Sequence, residues 1–138
     1  MDVLSAVVST LLNASRSGRG AVILSPRTGS NSRTVRNLLR LLVREGYLEG
    51  LSPSPSSTSQ ESTVGLAVRL KYNARGEPAI RGAFRVSKPS RRVYAGVSSL
   101  WQPPAGAGLL VISTPRGLRS DRDARRFNVG GEILMGIR

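Results

Sequence analysis

Residues 108–138, GLLVISTPRGLRSDRDARRFNVGGEILMGIR, place two extended apolar runs on either side of a short polar segment. Gly108-Leu109-Leu110-Val111-Ile112 is an apolar run of strand length, which predicts a buried strand. Ser120 can cap a short helix whose first turn carries Asp121 and Asp123, both favourable against the positive end of the helix dipole. After Asn128 the pair Gly130-Gly131 predicts a turn, and Glu132 to Ile137 a closing strand.

Working back from this stretch, Ile80, Gly82, Phe84 and Val86 alternate with Arg81, Ala83 and Arg85, so another strand leads into Ser87-Lys88-Pro89-Ser90-Arg91-Arg92-Val93-Tyr94. A short segment from Val97 to Trp101 precedes a Pro/Gly-rich turn. Asn73-Ala74-Arg75-Gly76-Glu77-Pro78 is turn chemistry and divides the chain into two domains, 1–75 and 76–138. Upstream, Val3-Leu4, Val7-Val8 and Leu11-Leu12 recur every four residues, the pattern of an amphipathic helix. Ala21-Val22-Ile23-Leu24 reads as a short buried strand ended by Ser25-Pro26. Ser32 can cap a second helix with Val35, Leu38, Leu39 and Leu42 as its apolar stripe and Gly46 as its stop. Arg33, Arg36, Arg40 and Arg44 share the opposite face, which is either simply solvated or turned to a polyanion. Residues 51–63, LSPSPSSTSQEST, read as a Ser/Pro-rich loop after the extended residues near Tyr47. Leu66, Val68, Leu70 and Tyr72 alternate with Ala67, Arg69 and Lys71, a half-buried strand that hairpins back.

The chain has 138 residues, with 21 Lys and Arg against 8 Asp and Glu and a net charge of +13. Such an excess marks a protein that meets a polyanion, nucleic acid first among them. All the cations except Lys71 and Lys88 are arginines, whose planar guanidinium pairs bidentately with phosphate and stacks on bases. Residues 81–138 carry net +8, from ten Arg and Lys88 against Asp121, Asp123 and Glu132. An anionic membrane or plain solubility could also use this charge, but the apolar runs fall far short of the roughly 18 to 20 residues of a membrane-spanning helix. There is no Cys and no His, which removes thiolate nucleophiles, imidazole bases and nearly every zinc site. Acid–base catalysis would fall on carboxylates, and Asp121 with Asp123 is the only close pair. Two apart on a helix, they point about 200° from each other and do not converge. We therefore expect no enzyme, no catalytic or metal-binding residue, no cofactor and no small-molecule substrate.

Two blocks, Arg85 to Tyr94 and Gly108 to the end, resemble the bacterial-type "S eight" family of small-subunit ribosomal proteins. Ser113-Thr114, Gly117, Asp121-Arg122, Ala124-Arg125 and Gly130-Gly131-Glu132-Ile133 recur at the family's spacing. The first half is similar through its order of helix, strand and helix and through Glu45-Gly46-Tyr47. The resemblance implies an α+β fold of two small domains, a helix-and-sheet first domain and a mostly β second domain. It also implies binding to a stem with an irregular internal loop in the central domain of the small-subunit rRNA, with neighbouring ribosomal proteins as further partners. Carried over by residue, the turn Ser113-Thr114, with Gly117 allowing close backbone approach, would reach the RNA minor groove, and Arg116 beside it would bind RNA. Tyr94, Gly130, Gly131 and Glu132 would line the same surface, and Ser87, Lys88, Arg91 and Arg92 would meet backbone or bases. Ser32 and Arg33 match a Ser-Lys pair that contacts RNA from the first domain. Three positions depart from the pattern: Pro115 stands where another hydroxyl residue is common, Ser90 where Gly follows Pro, and Arg119 where an apolar residue is usual. Pro115 removes a side-chain hydrogen bond and a backbone donor together.

The same residues admit plainer readings. Ser113 and Thr114 can cap a turn, Tyr94 can belong to the core, and Glu132 can pair with a neighbouring Arg. A free-standing RNA-binding regulator or chaperone would show the same charge. The arginine-dominated charge, the missing Cys and His, the Ser/Pro insertion and the departures point to a mitochondrial ribosome, with a bacterial cytoplasm or a plastid as the alternative. Because the first helix reads as part of the fold and Asp2 is wrong for a targeting peptide, no cleaved presequence is expected.

Overall fold

In the computed structural model, residues 3–24, 32–54, 65–88, 90–96 and 108–138 are described. The chain divides into two compact units, Met1–Ile80 and Arg81–Arg138, and its fold is α+β.

The first unit begins with α1 (Val3–Arg16), where the paired apolar residues bury Leu4, Val7, Val8 and Leu11. β1 (Ala21–Leu24), α2 (Arg33–Arg44), β2 (Leu48–Ser54) and β3 (Gly65–Leu70) follow, and the strands form an antiparallel sheet in the order β1-β3-β2. The Ser32 hydroxyl caps α2 by accepting from the Val35 amide at 3.4 Å. At the other end Tyr47 N–H donates to the Leu42 carbonyl at 2.8 Å and turns the chain into β2. The α2 stripe of Val35, Leu38, Leu39 and Leu42 is fully enclosed, each side chain contributing roughly 1.5–3 kcal/mol by leaving water. Asn73 organises the exit from the unit, its Oδ1 accepting from the amides of Arg75 and Glu77 at 2.9 Å each.

Two sequence expectations need correction here. β1 is an edge strand rather than a buried one: only Leu24 is enclosed, and Ile23 stands 67% exposed. The Ser/Pro loop does not start at residue 51, because Leu51, Ser52, Pro53 and Ser54 continue β2 against Val68, Ala67, Leu66 and Gly65. β2 is also an edge strand, where a proline is tolerated because part of the backbone needs no ladder partner. The rest of that loop, the Ser25-Pro26 strand end, Asp2, Pro89 and the Val97–Trp101 segment with its following turn lie outside the described residues.

The second unit is built around β8 (Gly131–Ile137). β4 (Ala83–Arg85) and β5 (Tyr94–Ala95) lie one after the other along one edge of β8, and β6 (Leu109–Thr114) pairs along the other. β7 (Gly117–Ser120) adds outside β6 and runs straight into α3 (Asp121–Arg126). Leu110, Ile112, Ile133 and Ala124 form the core on one sheet face. The register of β6 on β8 shifts between Val111 and Ile112, so Leu134 is an extra residue that interrupts strict alternation. Ser120 caps α3 by accepting from the Asp123 amide at 3.1 Å.

Here too the structure revises the reading. The strand expected from Ile80 is only Ala83–Arg85. Ser113 and Thr114 are not a turn but the end of β6; the turn is Pro115-Arg116, since Thr114 pairs with Gly117 across a two-residue loop. Gly117 enters β7 with φ +99, a conformation that only glycine adopts without strain. Gly130-Gly131 is not the turn either. The reversal lies at Asn128, left-handed at φ 55, and Gly131 already belongs to β8.

Candidate nucleic-acid interface

Direct cross-strand partners in a sheet project their side chains from the same face. Glu132 in β8 is opposite Tyr94 on one edge and Ser113 on the other, so three residues separated in sequence by up to 38 positions form a single row. The neighbouring Ile112–Ile133 pair points the other way, into the core. Alternation therefore turns Ser113 outward with Glu132 and Thr114 inward with Ile112.

The strands close tightly at this end of the sheet. A Cβ on Gly130 would lie 2.6 Å from the Ala95 carbonyl oxygen, and one on Gly131 would fall on the Ser113 carbonyl. Both glycines are required by this approach of β5 and β6 to the start of β8, not by turn geometry. Tyr94 is 67% exposed, which rules out the core reading and leaves its ring face available. Glu132 pairs with Arg92, its carboxylate 3.4 Å from Nη1. That pairing neutralises the one acid of the row, which a polyanion would otherwise avoid. Lys88 and Arg91 stand exposed at a tight reversal, each amide donating to the other's carbonyl at 2.8 and 3.0 Å. Arg116 and Gly117 are exposed at the tip of the β6–β7 hairpin.

Two of the residues expected at the RNA are instead spent inside the protein. Ser87 is 1% exposed; its hydroxyl accepts from the Val93 amide at 2.9 Å and donates to the Val93 carbonyl at 3.2 Å. It pins the base of the Lys88–Arg92 loop and has no surface to offer. Thr114 is 8% exposed, and its hydroxyl donates to the Gly117 carbonyl at 2.8 Å and accepts from the Arg116 amide at 3.2 Å. It shapes the hairpin that presents Arg116. These hydroxyls look from sequence like surface groups because nothing local shows that their backbone partners lie across a loop.

In the first unit, Ser32 spends its oxygen on the cap, while Arg33, Arg36 and Arg40 are exposed along α2. Arg36 and Arg40 edge a cavity of about 720 Å³ with Val43, Leu51, Pro53 and Leu66 among its lining. The Arg face of α2 thus borders an aliphatic floor. Among the described residues, no helix is long and apolar enough to cross a membrane.

Comparison of the sequence with known proteins finds relatives along nearly its whole length. A sequence model of the family Ribosomal protein S8 matches residues 2–137. The chain is 44% identical over 139 residues to the small ribosomal subunit protein uS8 of Granulibacter bethesdensis, covering 99% of this chain and 96% of the relative. It is 42% identical to the uS8 of Acidiphilium cryptum, covering 99% and 98%, and 40% identical to that of Erythrobacter litoralis, covering 99% and 96%.

Proposed function

The chain belongs to the ribosomal protein S8 family, and from that membership we propose how it works as a structural constituent of the small ribosomal subunit. It binds a stem with an internal loop in the central domain of the small-subunit rRNA and so supports subunit assembly and translation, without enzymatic activity. The observation that carries this reading is the Tyr94–Glu132–Ser113 row, with Arg92 closing on Glu132. A-form RNA presents a wide, shallow minor groove lined by 2′-hydroxyls, and a short outward hydroxyl with a close backbone suits that surface. The Tyr94 ring stacks on an unpaired base of the internal loop. Lys88, Arg91, Arg92 and Arg116 meet phosphates around it, and Gly117, Gly130 and Gly131 let the backbone approach. In the first unit Arg33, Arg36 and Arg40 meet phosphates, with Ser32 fixing the end of α2 that presents them. Ser87 and Thr114 serve by holding the two loops that carry these contacts.

Neighbouring small-subunit proteins complete the surroundings. We place the particle in a mitochondrial ribosome on the arginine-dominated charge, the missing Cys and His, the Ser/Pro insertion and the departures at Ser90, Pro115 and Arg119; a bacterial cytoplasm, which its bacterial relatives favour, and a plastid are the alternatives. Sedimentation tests the role. The protein is expected to remain with small subunits through a moderate-salt wash, and its quantitative release would favour a free-standing RNA-binding regulator. Fractionation of the same cells decides the compartment.

A further inference from the structure

Outside the row just described, a second corner of the same unit gathers cations around an exposed ring. Phe127 follows α3 as its C-cap and is 46% exposed. Arg119 from β7 and Arg126 from the last turn of α3 both hold their guanidinium groups over that ring, 5.4 and 5.9 Å from its centroid. Arg122 is exposed on the same helix. Two acids of α3 lie near this cluster in the chain: Asp121 is buried, with one oxygen 3.3 Å from the Leu110 amide and the other 3.2 Å from Arg125, and Asp123 is half-buried in the first turn, leaving the cations in excess.

We propose that Arg119, Phe127 and Arg126 form a phosphate clip, a second contact of this unit with the rRNA backbone. The proposal rests on the reading of the chain as an rRNA-binding protein and adds a place on it that the family motifs do not include. Three physical points support it. Two guanidinium groups 5.4 and 5.9 Å from one ring centroid stand no more than about 11 Å apart, close to the Debye length of roughly 8 to 10 Å, so each feels the other's charge and an anion bound beside the ring relieves their repulsion. A guanidinium held at a ring by cation–π attraction keeps N–H donors that match phosphate bidentately. The ring also holds both side chains in place beforehand, which lowers the ordering cost of binding. An acidic protein segment would need an apolar recess to anchor it, and the guanidinium groups occupy the ring where such a recess would be.

The test is the salt dependence of binding to transcribed central-domain rRNA, with the fold of each variant checked by thermal melting. Arg119→Leu and Arg126→Gln should each make the slope of log K against log salt shallower by about 0.7 to 0.9, the loss of one phosphate contact. Phe127→Ala should leave the slope alone and weaken binding about threefold, while Phe127→Trp restores it. Arg126 is exposed, so its replacement reads the slope even if Arg119→Leu disturbs β7. Slopes equal to the parent's in folded Arg119→Leu and Arg126→Gln would overturn the clip. A parent that does not bind this RNA at all would instead count against the proposed function.

Discussion

At Ser87 a single oxygen closes a loop from within, donating to one atom of Val93 and accepting from another. Removing it leaves a backbone amide and carbonyl in a part-buried site without their partner, a cost of about 1–3 kcal/mol. Ser87→Ala should therefore lower the midpoint of thermal unfolding by several degrees and, by loosening the loop that carries Lys88, Arg91 and Arg92, weaken RNA binding only together with that loss of stability. A variant as stable as the parent but weakened in RNA binding would move Ser87 back to the interface. The contrast with Tyr94 shows what a sequence motif conveys at this scale. It marks that both residues matter, but whether a side chain points to solvent or to its own backbone depends on strand parity and loop closure. Ser113 and Thr114 are adjacent and chemically alike, yet the pleat gives one to the surface and the other to the hairpin.

Among the elements, α3 is held by more than its cap. Ser120 begins it, and the first-turn acids suit the dipole, both legible from residue type and spacing. The long-range link is not: Asp121 reaches across to the Leu110 amide on β6 and binds Arg125 one turn ahead. Asp121→Ala takes the acceptor from a buried amide and one contact from a half-buried guanidinium. It should destabilise the protein by roughly 2 kcal/mol in denaturant titration. A change under about 0.5 kcal/mol would mean that solvent replaces both bonds. Elements with strong helical period, α1 and α2, are legible nearly to their ends because one apolar face must be buried. Short strands are not. β7 has the sequence Gly-Leu-Arg-Ser, with no alternation to announce it, and forms because Pro115-Arg116 folds it back on β6. Leu51 to Ser54 look like loop for the same reason, and β3 recruits them into β2.

For the whole molecule, charge is the property that composition predicts best. A net +13 carried almost wholly by arginine acts at a distance and is independent of which face each residue takes. Neutralising several phosphates releases their counterions, so affinity for rRNA should fall by about 10³-fold or more between 50 and 200 mM salt if six or more contacts form. An affinity that is flat over this range would deny the phosphates their role and leave binding to the Tyr94–Glu132–Ser113 row alone. Composition says nothing, however, of that row, because it exists only where β5, β8 and β6 meet and two glycines let them approach.

That row is most directly tested by the affinity of Tyr94→Ala for the isolated rRNA stem with its internal loop. Tyr94 is exposed and its ring supports no core contact in the unit's cluster, so the variant should melt with the parent. Loss of one base-stacking ring should weaken binding about tenfold, within the roughly 1–3 kcal/mol that such a ring contributes. Folded Tyr94→Ala that binds the stem as tightly as the parent would contradict the account and place the RNA on another surface.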